Sequence, residues 1–236
     1  MSITLTSTLG QSVTFQKRAS LRHNKMALVS LTVERWDEEP PSSDDWVDLG
    51  LPSGLLWATR NVGATSPEDY GDYFAWGETT PKSVYLWTTY IYCNGDYNQL
   101  TKYCNNSGYG YDGIIDSLTI LQPGDDAATA NYGGRTPTKE EWQELKNNTT
   151  SIWTTQNGVK GKLFTGTNGN SLFLPAAGYR WNDTLYTGGS AGYYRSSSLY
   201  TDYPFYAWNC NFNSSVQGMI YFLRYHGLSV RAVRQK

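Results

Sequence analysis

The sequence predicts an α+β domain of short antiparallel strands, one or two helices and long loops, with a β arm in front of it. Three observations lead there. Apolar and polar residues alternate over short runs separated by Gly, Pro and Asn-Gly turn signals, as half-buried strands require. One stretch, residues 134–145, carries the clearest marks of a helix start. The 236 residues also hold 23 Gly, 19 Tyr and 9 Trp, which describes a loop-rich chain suited to polar surface recognition.

The arm comes first. Ile3, Leu5, Val13 and Phe15 alternate with Thr and Ser around a turn near Gly10, which predicts a hairpin. Residues 17–25 are basic and polar, and 27–36 alternate again through Val29, Leu31 and Val33. So few strands cannot bury a core alone. Residues 1–36 therefore read as an arm that packs on the main domain, on a sister subunit or on a partner. Residues 37–45, DEEPPSSDD, form an acidic Pro/Ser linker.

The main domain, residues 46–236, opens with Val47, Leu49 and Leu51 in alternation, a turn at Pro52-Ser53-Gly54 and a second strand over 55–59. Residues 80–130 are dominated by Tyr, Asn and Gly. They read as a long insertion with little regular structure, 112–121 being its candidate for a strand or short helix. At the helix start, Thr136 or Thr138 serves as cap and Glu140 and Glu141 favour the dipole of the first turn. Glu141 stands three residues after Thr138, as in a capping box. Trp142 and Leu145 share a face, and the helix fades at Asn147-Asn148. Beyond Ile152, Asn157-Gly158 and Asn168-Gly169 signal hairpins, and Leu172-Phe173-Leu174 a short buried strand.

Residues 192–234 fit no period of 2 or 3.6, so they are neither one long strand nor an amphipathic helix. Their Tyr, Ser, Asn and Gly have the chemistry of a paratope. A Tyr-rich irregular core is the other reading of the same composition.

Net charge is −2 with 17% charged residues, so no basic stripe points to nucleic acid. No apolar run reaches membrane-spanning length, and no membrane insertion is expected. The first residues alternate instead of forming the apolar stretch of a secretory signal. The expectation is export by another route, such as assembly into a virus particle, or a leader already removed. Cys93 and Cys104 are near enough in sequence to pair, but free thiols are the expectation for all three cysteines, Cys210 included.

The phrase WVDLGLPSGLLWATRNVGA at 46–64, followed by PEDYGDYFAWGE at 67–78, resembles the major paralogous family of the Bacteroidetes and Fibrobacter group. That family is placed with the C-type lectin fold, and the resemblance runs from about Trp46 to Arg234. It implies a C-type lectin-like domain whose closing strand, 229–233, pairs with the opening strands. RTPTKEEW at 135–142 is similar to a motif of the formylglycine-generating enzymes of the same superfamily, where the helix is structural.

Those relatives are oxidases with a pair of active-site cysteines, whereas here Cys210 alone lies in the corresponding region. The histidines are His23 and His226, with no Cys/His cluster for a metal. No nucleophile elbow or phosphate loop stands out. Asp72, Glu78, Asp125 and Asp126 are expected in solvated or turn-capping roles. Neither an enzyme nor a cofactor nor a metal is expected. Trp181-Asn182-Asp183 is the tripeptide of true C-type lectins, but it offers calcium only two oxygen ligands, and its companion element is missing. It reads as a loop with Trp181 packed.

The frame of residues 192–234 also resembles the variable regions diversified by retroelements. There an error-prone reverse transcriptase alters AAC and AAT codons, and the products exclude Met, Trp, Gln, Lys and Glu. Within 192–226 only Trp208, Gln217 and Met219 are of the excluded types. The resemblance implies a scaffold of Ser196, Ser197, Ala207, Trp208, Phe212, Ser214, Ser215, Met219 and Arg224. It implies recognition by Tyr194, Arg195, Leu199, Tyr200, Asp202, Tyr203, Phe205, Tyr206, Asn209, Cys210 and Asn211. Gly218, Ile220, Tyr221, Phe222, Leu223, Tyr225 and His226 complete that set. Phe212 and Met219 are expected in the core, and Tyr221, Phe222 and Leu223 exposed. The implied function is ligand binding, in the setting of a phage-tail receptor-binding protein in a virion. Its partner would be a host-cell surface protein or glycan, met by a homo-oligomer, for instance a trimer, assembled through the arm. A bacterial surface adhesin of fixed specificity is the alternative.

Overall fold

The computed structural model describes residues 45–236 and, before them, the backbone of two strands. These, β1 (Ser2–Thr6) and β2 (Ser12–Gln16), form the expected hairpin, with Ile3 opposite Phe15 and Leu5 opposite Val13. They belong to a unit, Met1–Pro40, distinct from the unit Pro41–Lys236. The strand expected over 27–36 and the linker residues 37–44 lie outside the described residues.

The larger unit is made mostly of small antiparallel sheets, with two α-helices among the described residues. No helix among them is long and apolar enough to cross a membrane. Its two ends meet in one sheet. Strands β3 (Trp46–Asp48) and β4 (Leu56–Ala58) pair, and Val233 lies opposite Trp57, which faces Val47 on its other side. The closing run thus joins the opening strands as expected, although its ladder is confined to Val233–Arg234. Before it, Ala232 and Val230 accept single bonds from Ala58 N (2.9 Å) and Val62 N (3.0 Å).

Helix α1 (Ala127–Tyr132) begins inside the stretch expected to be irregular and runs two residues past its end. Asp126 caps it by accepting from Ala128 N at 3.0 Å, and Gly133 ends it in the left-handed conformation at φ 77°. An Asp, a run of small helix formers and a Gly were all legible at 126–133. Helix α2 (Lys139–Asn148) starts where its capping box predicts. Glu141 N donates to Thr138 Oγ1 at 3.3 Å, and Thr138 N to Glu141 Oε2 at 2.8 Å. Trp142 and Leu145 are its buried face.

Strands β5 (Thr149–Gln156), β6 (Val159–Gly166) and β7 (Ser171–Pro175) follow as a meander. Asn157 and Gly158, at φ 46° and 84°, form the left-handed two-residue turn that sets Gln156 opposite Val159. A hairpin of β8 (Tyr179–Trp181) and β9 (Thr184–Tyr186) comes next. The irregular-looking segment then resolves into three strands, β10 (Gly192–Leu199), β11 (Tyr206–Phe212) and β12 (Gln217–Leu223), in one antiparallel sheet. Gly192 is required where it is, because a Cβ there would meet the Phe212 ring at 2.3 Å. Strand β13 (Gly227–Leu228) pairs back onto β8.

One core cluster joins Trp57, Trp142, Leu145, Phe164, Leu172, Leu174, Tyr194, Cys210 and Phe212. Trp142 meets Trp57 edge-on at 4.8 Å, and its indole N–H donates to Arg195 O at 3.0 Å.

The insertion is irregular but anchored. Leu199 N donates to Thr119 O and Leu121 N to Ser197 O, so residues 119–121 run beside the end of β10. Asp125 is buried and takes hydrogen bonds from Tyr92, Tyr103 and Lys102. Glu78 is buried beside Lys82. Neither has the solvated role expected of it, since a buried carboxylate needs such partners; Asp126 does cap a helix. Arg224 clamps the insertion from inside. It donates to Tyr90 Oη (2.8 Å), Tyr103 O (3.2 Å), Lys102 O (3.0 Å) and Pro204 O (3.0 Å).

Replacing Arg224 by Met leaves these buried acceptors unpaired. Urea unfolding should show a loss of about 3 kcal/mol or more. Hydrogen exchange should show residues 90–104 losing protection before β5–β7 do.

Candidate functional site

The register of β10–β12 sorts the predicted recognition residues by face, because side chains alternate along a strand. Tyr194, Cys210 and Met219 stand in line across one face, and so do Trp208 and Tyr221. Arg195, Asn209 and Ile220 line up on the other, as do Ala207 and Phe222.

Seven of the residues predicted for recognition are buried, a correction with a physical cause at each: Tyr194, Arg195, Leu199, Asn209, Cys210, Tyr225 and His226. Tyr194 lies under α2 against Trp142, donates to Pro175 O at 2.9 Å, and has its hydroxyl pushed up to about 12 by burial. Cys210 lies in the same cluster, and burial pushes its thiol up to about 12. All three cysteines are free, as expected. Leu199 packs with Trp76, Tyr103 and Ala207. Asn209 donates to Ile220 O at 3.2 Å within the sheet. Arg195 turns inward to Phe74 O (3.4 Å), Leu223 O (3.3 Å), Arg224 O (3.1 Å) and His226 O, and burial lowers its guanidinium to about 9. The Tyr225 ring packs with Trp87 and Tyr85. His226 stacks on Tyr225 at 4.4 Å and lies 4.6 Å from Phe222. Burial, and then the charge of Arg195, lower its imidazole to about 3.

The remaining predicted residues reach the surface. Asp202, Tyr203 and Tyr221 are exposed, and Tyr200, Phe205, Tyr206, Asn211, Gly218, Ile220, Phe222 and Leu223 are partly so. Phe212 is buried and Met219 packs against the core, as expected. Arg224 is buried and bonded to the insertion.

On the first face, the end of the sheet beyond the start of α2 carries a continuous aromatic platform. Tyr200 stacks on Tyr221 with centroids 4.3 Å apart and planes at 23°, and Trp208 meets Tyr200 edge-on at 5.1 Å. Tyr206 lies 5.0 Å from Tyr221 and 4.6 Å from Phe205. Lys139, at the first turn of α2, sets its amine 3.9 Å above the Trp208 ring. Trp208, expected as scaffold, is thus part of the platform. The insertion extends it: Tyr97 and Tyr109 pack on Phe205 at 5.3 Å and 5.0 Å. Sequence reasoning missed both, because nothing in a Tyr- and Asn-rich loop says which strand it will fold over.

A second aromatic group occupies the other face, where Tyr179 meets Tyr193 at 5.1 Å and Phe222 at 4.9 Å. Trp181 lies at its rim: it is 44% exposed, and its ring still packs on Tyr186 at 5.7 Å and near His226 at 6.3 Å. Asn182 takes the left-handed conformation (φ 53°) in the β8–β9 turn, where its carbonyl accepts from Tyr85 N at 2.9 Å. Asp183 accepts from Thr184 Oγ1 at 2.9 Å. The tripeptide therefore builds a turn.

No protein-family model matches the chain, and no curated protein or solved structure matches it significantly.

His226 ties the site to pH. Its folded pKa is lowered, so on acidification the unfolded chain binds the proton first, near 6.5. Stability is then full above pH 6.5 and falls progressively toward pH 3. Between pH 7 and pH 5 the loss due to this group should be about 2 kcal/mol. Thermal denaturation at both values, compared with His226→Phe, should show the dependence shrink in the variant.

Proposed function

We propose that this chain is a ligand-binding protein with a C-type lectin-like fold, and that its C-terminal sheet presents a diversified recognition surface. One observation carries the reading. Rings from β11, β12, the 200–206 loop and the insertion form a single partly exposed platform, while the residues between them are locked in the core. Tyr and Trp supply wide, rigid contact at low entropic cost, and a contiguous apolar surface rimmed by polar groups marks an interaction site. The small antiparallel sheets and the pairing of the two ends of the larger unit support the fold assignment.

The division between buried and exposed positions suits diversification. Tyr200, Asp202, Tyr203, Phe205, Tyr206, Asn211, Ile220 and Tyr221 can change without emptying the core, whereas Tyr194, Arg195, Asn209 and Cys210 cannot. The setting that fits is a phage-tail receptor-binding protein facing a host-cell surface protein or glycan. Assembly of several copies through the N-terminal arm would raise weak single-site affinity by avidity.

Deep sequencing of the gene in a growing population tests this. Substitutions should gather in adenine-derived codons at the exposed positions and spare the four buried ones. A segment as invariant as residues 46–77 would sink diversification and leave a fixed-specificity adhesin of a bacterial surface. Once a ligand is captured, Tyr203→Ala and Tyr221→Ala should each weaken binding by about 2 kcal/mol with little change in melting temperature.

A further inference from the structure

The last strand of the C-terminal sheet, β12, ends that sheet among the described residues, and its own sequence lacks the usual protection of an edge. Exposed edges are commonly blunted by Lys, Pro, a bulge or a covering element. Strand β12 reads Gln-Gly-Met-Ile-Tyr-Phe-Leu, without charge or proline. Its register with β11 runs unbroken from Tyr206–Leu223 to Phe212–Gln217. By contrast, the register between β10 and β11 shifts between Arg195 and Leu199. Every residue of β12 is at least partly exposed, whereas most of β10 is buried.

The backbone groups along that edge can be assigned. At one end Asn213 N donates to Val216 O, and at the other Arg224 N donates to Phe205 O. Antiparallel pairs alternate between bonded and non-bonded. Gly218, Ile220 and Phe222 therefore exchange bonds with β11, while Met219 and Tyr221 turn their N–H and C=O groups away from it. Asn209 Nδ2 donating to Ile220 O across the β11 side agrees with this phase. Ser151 Oγ holds Gln217 at one end, and Leu223 O accepts from His226 N at the other. Between them, among the described residues, no strand lies beyond β12.

We infer that the β12 edge at Met219–Tyr221 docks an extended segment of a protein partner as an added antiparallel or parallel strand. The inference rests on reading this surface as a recognition site and assigns its ligand class. Outward backbone donors and acceptors alternating along an apolar edge complement another peptide backbone, and a glycan has no matching ladder. Tyr221 on one face, and Ile220 and Phe222 on the other, would flank the docked segment and read its alternate side chains.

The test uses the full chain and a displayed library of linear dodecapeptides. In the free protein, hydrogen exchange should find the Met219 and Tyr221 amides fast and the Ile220 and Phe222 amides protected. Selected peptides should slow the fast pair. They should also bind Tyr221→Pro, which lacks the outward N–H, about tenfold more weakly than Tyr221→Ala, which keeps it. Because proline also strains the strand itself, the same peptides are N-methylated at alternate residues as a second test. Methylation in one alternate set should abolish binding, and in the other leave it intact. Peptides indifferent to methylation would overturn strand docking while leaving a side-chain recognition surface in place. So would binding confined to glycans. Met219 and Tyr221 amides already protected in the free protein, through a second copy or the N-terminal hairpin, would overturn it as well.

Discussion

Three guanidinium groups in the interior donate chiefly to backbone carbonyls, and the irregular parts of this protein depend on them. Arg231 reaches Ala58 O, Phe173 O and Asn61 Oδ1, joining the opening strands to β7. Arg195 holds Phe74 O and the carbonyls of the turn after β12. Arg224 holds the insertion and Pro204. A chain with short strands and long loops has many carbonyls without a ladder partner, and each must be satisfied if buried. Arginine suits this task because it carries five donors in a fixed fork and accepts nothing. Burial costs each cation solvation. For Arg224 the cost is offset partly by rings, with Trp76 at 4.8 Å and Tyr90 at 5.2 Å from the guanidinium carbon.

This internal bracing lets the surface be aromatic without collapsing. The loop 200–205 and the insertion are fixed at their backbones by Arg224 and by Asn105 Nδ2 donating to Thr201 O at 2.8 Å. Their side chains can therefore face outward. Asp125 fastens the same insertion through Tyr92, Tyr103 and Lys102, and these bonds outweigh the effect of its burial and keep its carboxyl below the usual range. Loops carried on a rigid frame are where binding residues are commonly found. Here the frame is made of hydrogen bonds to carbonyls more than of regular sheet.

The helix α2 was legible to its cap because its signals are local: Thr138, Glu141, Trp142 and Leu145 meet within three turns. The Asn157-Gly158 turn was legible for the same reason. Helix α1 was missed although Asp126 and Gly133 mark its ends, because six residues give little periodicity to read. The candidate site was legible as a region and not as a set of side chains. Tyr194 and Tyr193 are neighbours of one residue type, yet one is core and the other rim.

By itself, the sequence determined the local decisions: where strands turn and where the helix caps. For residues 192–226 it left two readings, a paratope-like surface and a Tyr-rich irregular core. Tertiary structure alone decided which of those aromatics face outward. That choice depends on the register of β10 against β11 and β11 against β12, and a shift of one residue would exchange the faces. It depends also on Tyr97 and Tyr109 arriving from about a hundred residues upstream, in an insertion braced by an arginine whose partners are mostly carbonyls and so leave little mark on the residue types around them.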